Sequence, residues 1–236
     1  LTLAFFPFVV TLHHLRARRL KMNLLKYYYM LAARSWGVRV KLEGEFNTSR
    51  PLLVVSNHCS YVDIPVLGSL APLHFTPKAE IRHWPVIGYL CRLADCIFID
   101  RNPRKTAENM KALHKAMQRG WMISLFPEGT TNDGTEVKPF RSSYFQLAED
   151  GLPVQPVTVS YHAPDGSPLS TEHLRKVVWI DEDEFGTHLL QFLAQPPVLA
   201  VVTCHPATSI AAFDDRKQLA AQCHRIISLF PSFRDA

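Results

Sequence analysis

His58 and Asp63 stand close together in Asn57-His58-Cys59-Ser60-Tyr61-Val62-Asp63, directly after the apolar run Leu52-Leu53-Val54-Val55. An imidazole and a carboxylate at this spacing can meet across a strand-to-helix turn. The carboxylate would accept the proton of one ring nitrogen and leave the other as a base. This is the orienting half of a catalytic triad without an enzyme nucleophile, so the nucleophile would be a hydroxyl carried by an acceptor. Taken alone, the pair fits equally well a turn histidine beside a helix-capping aspartate.

Three further segments narrow the choice. Cys96-Ile97-Phe98-Ile99-Asp100-Arg101 ends an apolar run with a charged pair, where Arg101 can offer a two-pronged fork to a phosphate or carboxylate. Ser124-Leu125-Phe126-Pro127-Glu128-Gly129-Thr130-Thr131 also ends an apolar run, and Gly129 permits a backbone turn that residues with side chains resist. Glu128 would there hydrogen-bond an acceptor hydroxyl or an arginine such as Arg101. Leu152-Pro153-Val154-Gln155-Pro156-Val157 opens another strand through two prolines, which stiffen its entry.

In order and spacing these four segments resemble the glycerolipid acyltransferase family, which contains the 1-acyl-glycerol-3-phosphate acyltransferases and related lysolipid acyltransferases. The resemblance covers roughly residues 50–160 and rests on Asn57-His58-x4-Asp63, Phe98-Ile99-Asp100-Arg101, Phe126-Pro127-Glu128-Gly129-Thr130 and Val154-Gln155-Pro156-Val157. It implies His58 as general base and Asp63 as its orienting partner. It implies Arg101 as an acceptor-binding cation, and Glu128, Gly129 and Thr130 as part of the acceptor site together with Asn57 and Ser60. It further implies acyl-CoA or an acyl-carrier protein as donor, with no metal and no other cofactor.

Many family members that use lysophosphatidic acid carry an arginine where this chain has Thr131, so one phosphate-facing cation is missing; Lys138 and Arg141 are the nearby substitutes. Thr131-Asn132-Asp133-Gly134 and the later Val178-Trp179-Ile180 are similar to the subgroup that acylates lyso-ornithine lipids or related acceptors. In the implied reaction His58 takes the acceptor's hydroxyl proton, the oxygen attacks the thioester carbonyl, and the imidazolium protonates the leaving thiolate. Cys59 is expected to pack rather than react. Two other classes stay open: a lipid hydrolase or transacylase using the same His-Asp pair, and a non-catalytic lipid-binding protein. There is no G-x-S-x-G nucleophile elbow to support a serine hydrolase.

The elements that must hold these residues alternate between strand-like and helix-like stretches from residue 38 onward. Short apolar runs predict strands over 38–43, 51–56, 74–77, 96–99, 121–126, 154–161, 177–180 and 198–204. Helices are expected from about residue 61, then over 84–93, 103–118, 143–149, 186–194 and 214–230, and 132–136 and 163–172 read as polar turns. Continuous rather than alternating apolar runs predict an α/β fold: a single domain with a mainly buried mixed sheet flanked by helices. The expected organisation is an N-terminal membrane-associating helical segment over 1–36 and a catalytic domain over 37–236.

The first twelve residues are apolar throughout but shorter than the ~20 residues a spanning helix needs. Arg16, Arg18, Arg19 and Lys21 follow, the basic flank expected on the cytoplasmic side of an apolar segment, and the Tyr27-Tyr28-Tyr29 cluster suits the headgroup zone. This places the chain on the cytoplasmic face of the cell inner membrane. Leu1 in place of an initiating methionine suggests a fragment or processed form. A net charge of +5 favours anionic partners, but no nucleic-acid motif accompanies it, so nucleic acid is not an expected partner. The five cysteines have no paired C-x-x-C spacing and read as buried fillers in a reducing compartment, and the other histidines lack metal-ligand spacing.

Overall fold

In β2 (Leu52–Ser56) all five residues are buried, and their side chains alternate between two apolar layers. Leu52 and Val54 pack with Ala33, Val66, Leu67 and Phe192 on one face of the sheet; Leu53 and Val55 pack with Leu113, Met117, Leu219 and Cys223 on the other. A strand apolar on both sides has to lie inside a sheet covered by helices on both faces. The computed structural model, which describes residues 1–100, 102–180 and 183–229, has this arrangement.

The elements run α1 (Thr2–His14), α2 (Arg18–Ser35), β1 (Val38–Gly44), β2, α3 (Asp63–Gly68), β3 (Leu73–Phe75), α4 (Ile87–Leu93), α5 (Thr106–Gln118), β4 (Met122–Leu125), β5 (Val154–His162), α6 (Thr171–Val177), α7 (Phe185–Leu193), β6 (Val198–Cys204) and α8 (Arg216–Ser228). One six-stranded sheet has the order β1-β6-β5-β2-β4-β3. Only the β5–β6 pair is antiparallel, so the sheet is mixed, as its sequence suggests. Burial is complete in β2 and β4, whereas β6 alternates buried and half-buried residues and β1 is largely open at the edge.

Three expected elements differ. Residues 96–99 form no strand: Ile97 N–H donates to Phe75 O and Ile99 N–H to Pro77 O, so the run only prolongs the margin of β3 through a single bridge at Lys78 and Ile99. Val177 closes helix α6 rather than opening a strand over 177–180; the helix is started by the Ser170 hydroxyl, which accepts from His173 N–H. Residues 142–148 make tight 3₁₀ turns in place of an α-helix.

The N-terminal segment is a hairpin of two helices. Val9 of α1 and Met22 and Leu25 of α2 meet Leu93 and Ala94 at the end of α4. Among the described residues no helix is long and apolar enough to cross a membrane. The basic flank is partly consumed: Lys21 is 2% exposed and its ammonium lies 2.8 Å from Asp95, with Arg18 3.4 Å from the same carboxylate. Tyr29 of the tyrosine cluster turns inward onto Phe75 and over Gly68, where a Cβ would lie 2.4 Å from its ring; Tyr27 stays exposed.

Candidate active site

β2 runs parallel to both β4 and β5, so the carboxyl ends of the three strands open toward the same end of the sheet. Reactive groups in open α/β sheets collect at such an end. Past Ser56 the chain stays tied to β5 through Asn57, whose amide donates to Val159 O and accepts from Val159 N–H, both at 2.9 Å. The side chain thus replaces the ladder where β2 leaves the sheet. Asn57, expected among the acceptor-binding residues, is buried and doubly bonded to β5, where it fixes the start of the turn.

The turn then brings His58 and Asp63 together. His58 Nδ1 lies 2.7 Å from Asp63 Oδ2. Asp63 is fully buried, and its Oδ2 also accepts from the backbone N–H groups of Cys59 (3.0 Å) and Ser60 (3.1 Å). An ionised carboxylate that collects N–H donors demands the proton of Nδ1, which leaves Nε2 with the lone pair. Among the described residues Nε2 has no hydrogen-bond partner, and the His58 side chain keeps 16% of its surface open. Phe126, the last residue before Pro127-Glu128, stacks on the imidazole at 3.8 Å and 11° and fixes the ring plane.

Ser60 is fully buried, and its hydroxyl accepts from Val62 N–H at 3.3 Å. It shapes the turn from within the core. Cys59 is buried beside Asp63, and burial followed by that negative charge pushes its thiol well above the usual range. A thiol held protonated is a poor nucleophile.

Among the described residues Glu128 bonds to the turn and the loop around it. Its Oε1 accepts from His58 N–H at 2.8 Å, and its Oε2 accepts from Asn132 Nδ2 (2.6 Å) and Lys138 N–H (2.8 Å). Burial raises its carboxyl above the usual value, opposed by those N–H donors. Asn132 completes the clamp by donating its own N–H to His58 O at 3.1 Å. His58 is thereby held through both its backbone N–H and its backbone carbonyl by the loop that follows β4.

Gly129 sits at φ +77°, and a Cβ there would lie 2.8 Å from the guanidinium carbon of Arg141. Arg141 therefore covers the glycine, one residue from Glu128, while Lys138 turns its ammonium back to Thr131 O at 3.2 Å. Thr130, the next residue, is half-buried. Arg101, the expected acceptor-binding cation, lies outside the described residues.

Sequence reasoning gave no role to Phe126, Asn132 or Tyr161. Phe126 and Asn132 flank the Glu128 motif and are visible as neighbours. Tyr161 donates its hydroxyl to Asp63 Oδ1 at 2.7 Å from the middle of the core, 98 residues along the chain, and no local signal marks it.

The chain is similar to known proteins in sequence and in fold. A family model described as Acyltransferase matches residues 37–160, more than half of the chain. The chain is 30% identical over 206 residues to a lyso-ornithine lipid O-acyltransferase of Rhizobium meliloti (strain 1021), covering 84% of this chain and 70% of that protein. It is 32% identical over 209 residues to a protein of the same name from Brucella abortus (strain 2308), covering 85% and 78%. Its fold is similar to the crystal structure of the 1-acyl-sn-glycerophosphate (LPA) acyltransferase PlsC from Thermotoga maritima, with a TM-score of 0.68 and 21% identity over 96% of this chain and 91% of that one. His58, Asp63 and Glu128 all lie inside the matched span, and the chain belongs to the glycerolipid acyltransferase family.

Proposed function

We propose that this acyltransferase moves a fatty acyl group from a thioester, acyl-CoA or an acyl-carrier protein, to the hydroxyl of a lysolipid. One observation carries the reading: a buried carboxylate at 2.7 Å holds His58 Nδ1 while Nε2 stays open. In the proposed reaction Nε2 takes the acceptor's hydroxyl proton as the oxygen bonds to the thioester carbonyl carbon. The carbon–sulfur bond then breaks, and the same proton passes from the imidazolium to the departing thiolate. No acyl-enzyme forms, in keeping with the inaccessible, protonated thiol of Cys59.

A lyso-ornithine lipid is the acceptor we favour over lysophosphatidic acid. Thr131 stands where a phosphate-binding arginine would be expected, and its buried hydroxyl has no hydrogen-bond partner among the described residues. The two relatives named above carry the lyso-ornithine activity in their names. The helical hairpin supports a location on the cytoplasmic face of the inner membrane: Leu3 is 90% exposed, and Phe8, Leu15, Leu20 and Tyr27 are also open to solvent beside Arg16 and Arg19.

A lysolipid panel with isotope-labelled acyl thioesters, read by mass spectrometry, tests the proposal. Labelled diacyl product from lyso-ornithine lipid, lost in His58→Ala, is the expected result. Thiol release that needs no acceptor would replace the reading with hydrolysis. Lipid binding without turnover of any donor would replace it with a non-catalytic role.

A further inference from the structure

We infer that Tyr161 is a positioning residue of the reaction, a third member of a His58–Asp63–Tyr161 relay that anchors the catalytic turn to the core of the sheet. The inference rests on the reading of His58 as the base.

Among the described residues five hydrogen-bond donors surround Asp63, and they divide unequally. His58 Nδ1 and the N–H groups of Cys59 and Ser60 all meet Oδ2, and all three belong to the turn that Asp63 itself closes. They move with the turn and cannot fix it in space. On Oδ1 the one oxygen donor among the described residues is the Tyr161 hydroxyl at 2.7 Å; the Cys59 thiol is 3.8 Å away. Tyr161 lies in β5, is 1% exposed, and pairs in register with Ala200 of β6. It therefore ties the carboxylate to the part of the molecule least able to shift.

A carboxylate can only accept, so the phenol donates. Burial, reinforced by the Asp63 charge, holds the Tyr161 phenol well above its usual range, so it remains a donor throughout the working pH range. The donation draws charge from the carboxylate and fixes the plane in which Oδ2 meets Nδ1. Among the described residues the titratable groups facing His58 are Asp63 and Cys59 from its own turn, Glu128 from the loop after β4, and, through Asp63, Tyr161 from β5.

Tyr161→Phe keeps the ring in the core and removes only the donor. A carboxylate free to swing off line should lower kcat roughly tenfold with KM for both substrates unchanged. Without the donated proton the carboxylate holds an imidazolium more tightly, so the acidic limb of the kcat profile moves to higher pH. A tyrosine that merely fills space would leave kcat per folded molecule and the limb where they are, and that result overturns the inference. If the phenylalanine variant does not fold, 3-fluorotyrosine at position 161 supplies a stronger donor in the same shape. The limb then moves to lower pH, and an unmoved limb overturns the inference. His58→Ala is assayed in parallel: an active alanine variant removes the base itself, whereas an inactive one beside an unaltered Tyr161→Phe removes only the relay.

Discussion

Asp63→Asn separates what the carboxylate does by shape from what it does by charge. An amide placed with its oxygen at the Oδ2 position keeps all three N–H donors of His58, Cys59 and Ser60. Its nitrogen then faces the Tyr161 hydroxyl, which can turn and accept instead of donate. The reverse placement would set an NH₂ group against three N–H groups, so the first orientation wins. The Tyr161 O–H proton and the weak Cys59 S–H contact lose their acceptor, and with the weaker, uncharged hydrogen bonds the structural cost is about 1–3 kcal/mol. The tautomer is preserved as well, because the amide oxygen still takes the Nδ1 proton. What disappears is the charge that stabilises the imidazolium formed during transfer. Unit charges about 4 Å apart in an effective dielectric of about 20 interact by ~4 kcal/mol. At ~1.4 kcal/mol per decade this is about a thousandfold in kcat. The expected result is a variant that unfolds in urea close to the parent's midpoint, with KM unchanged for both substrates and kcat down by two to three decades on the order-of-magnitude scale just given. Thiol release from the acyl donor under saturating acceptor measures it. A kcat within tenfold of the parent, or a loss confined to KM, would refute the charge argument.

Other outcomes follow from neighbouring contacts. Cys59→Ala should fold and keep its kcat, since the thiol is buried and held protonated; an inactive but folded variant would restore a covalent route, as would a trapped thioester seen by intact-mass analysis. Gly129→Ala forces a side chain into a left-handed backbone at φ +77° and into the Arg141 guanidinium, and should lower stability by about 1–2 kcal/mol and weaken acceptor binding, read as a rise in acceptor KM. His74, stacked on Trp121 at 3.8 Å, is lowered by burial from 6.5 to about 4. Its folded value lies below its unfolded one, so the stability it lends is complete above pH 6.5 and is lost as pH falls toward 4, a loss of about 3 kcal/mol. Urea titrations between these limits should show that slope in the parent and a shallower one in His74→Phe.

What the sequence discloses is what is local in it. The runs Leu52–Ser56 and Met122–Leu125 are apolar without alternation, and they became the buried centre of the sheet. His58 and Asp63 lie within one turn of chain, so their meeting needs no knowledge of the fold. Helix α6 also carried its signals, a Ser170 cap and a Glu172–Lys176 pair at 2.7 Å, but they were hidden in a polar stretch that also reads as a turn. The remaining differences come from distance along the chain. Lys21 reads as a solvent-facing cation until Asp95 is folded against it. Asn57 reads as an acceptor contact until β5 offers Val159 at hydrogen-bond range, and Tyr161 gives no sign until the strand order puts it behind Asp63. Pairings across the sheet are set by topology, which no short window contains.

On the proposed reaction the enzyme has no nucleophile of its own, and the same topology bears on how it avoids reacting with itself. Cys59 is adjacent to the base in sequence and carries the most nucleophilic type of side chain near it, yet the turn directs its thiol toward the Asp63 carboxylate, inside the core. Serine is treated in the same way: Ser56 and Ser60 are both fully buried, and Ser60 is bonded to the backbone. The imidazole is pinned by Phe126 on its face, by Glu128 at its backbone N–H and by Asn132 at its carbonyl, so it cannot rotate to reach them. Among the described residues Nε2 has no hydrogen-bond partner, and the His58 side chain is partly exposed. On the proposed reaction, the nucleophile is therefore chosen by access: whichever hydroxyl reaches that nitrogen meets the base, and the lipid, not the protein, receives the acyl group.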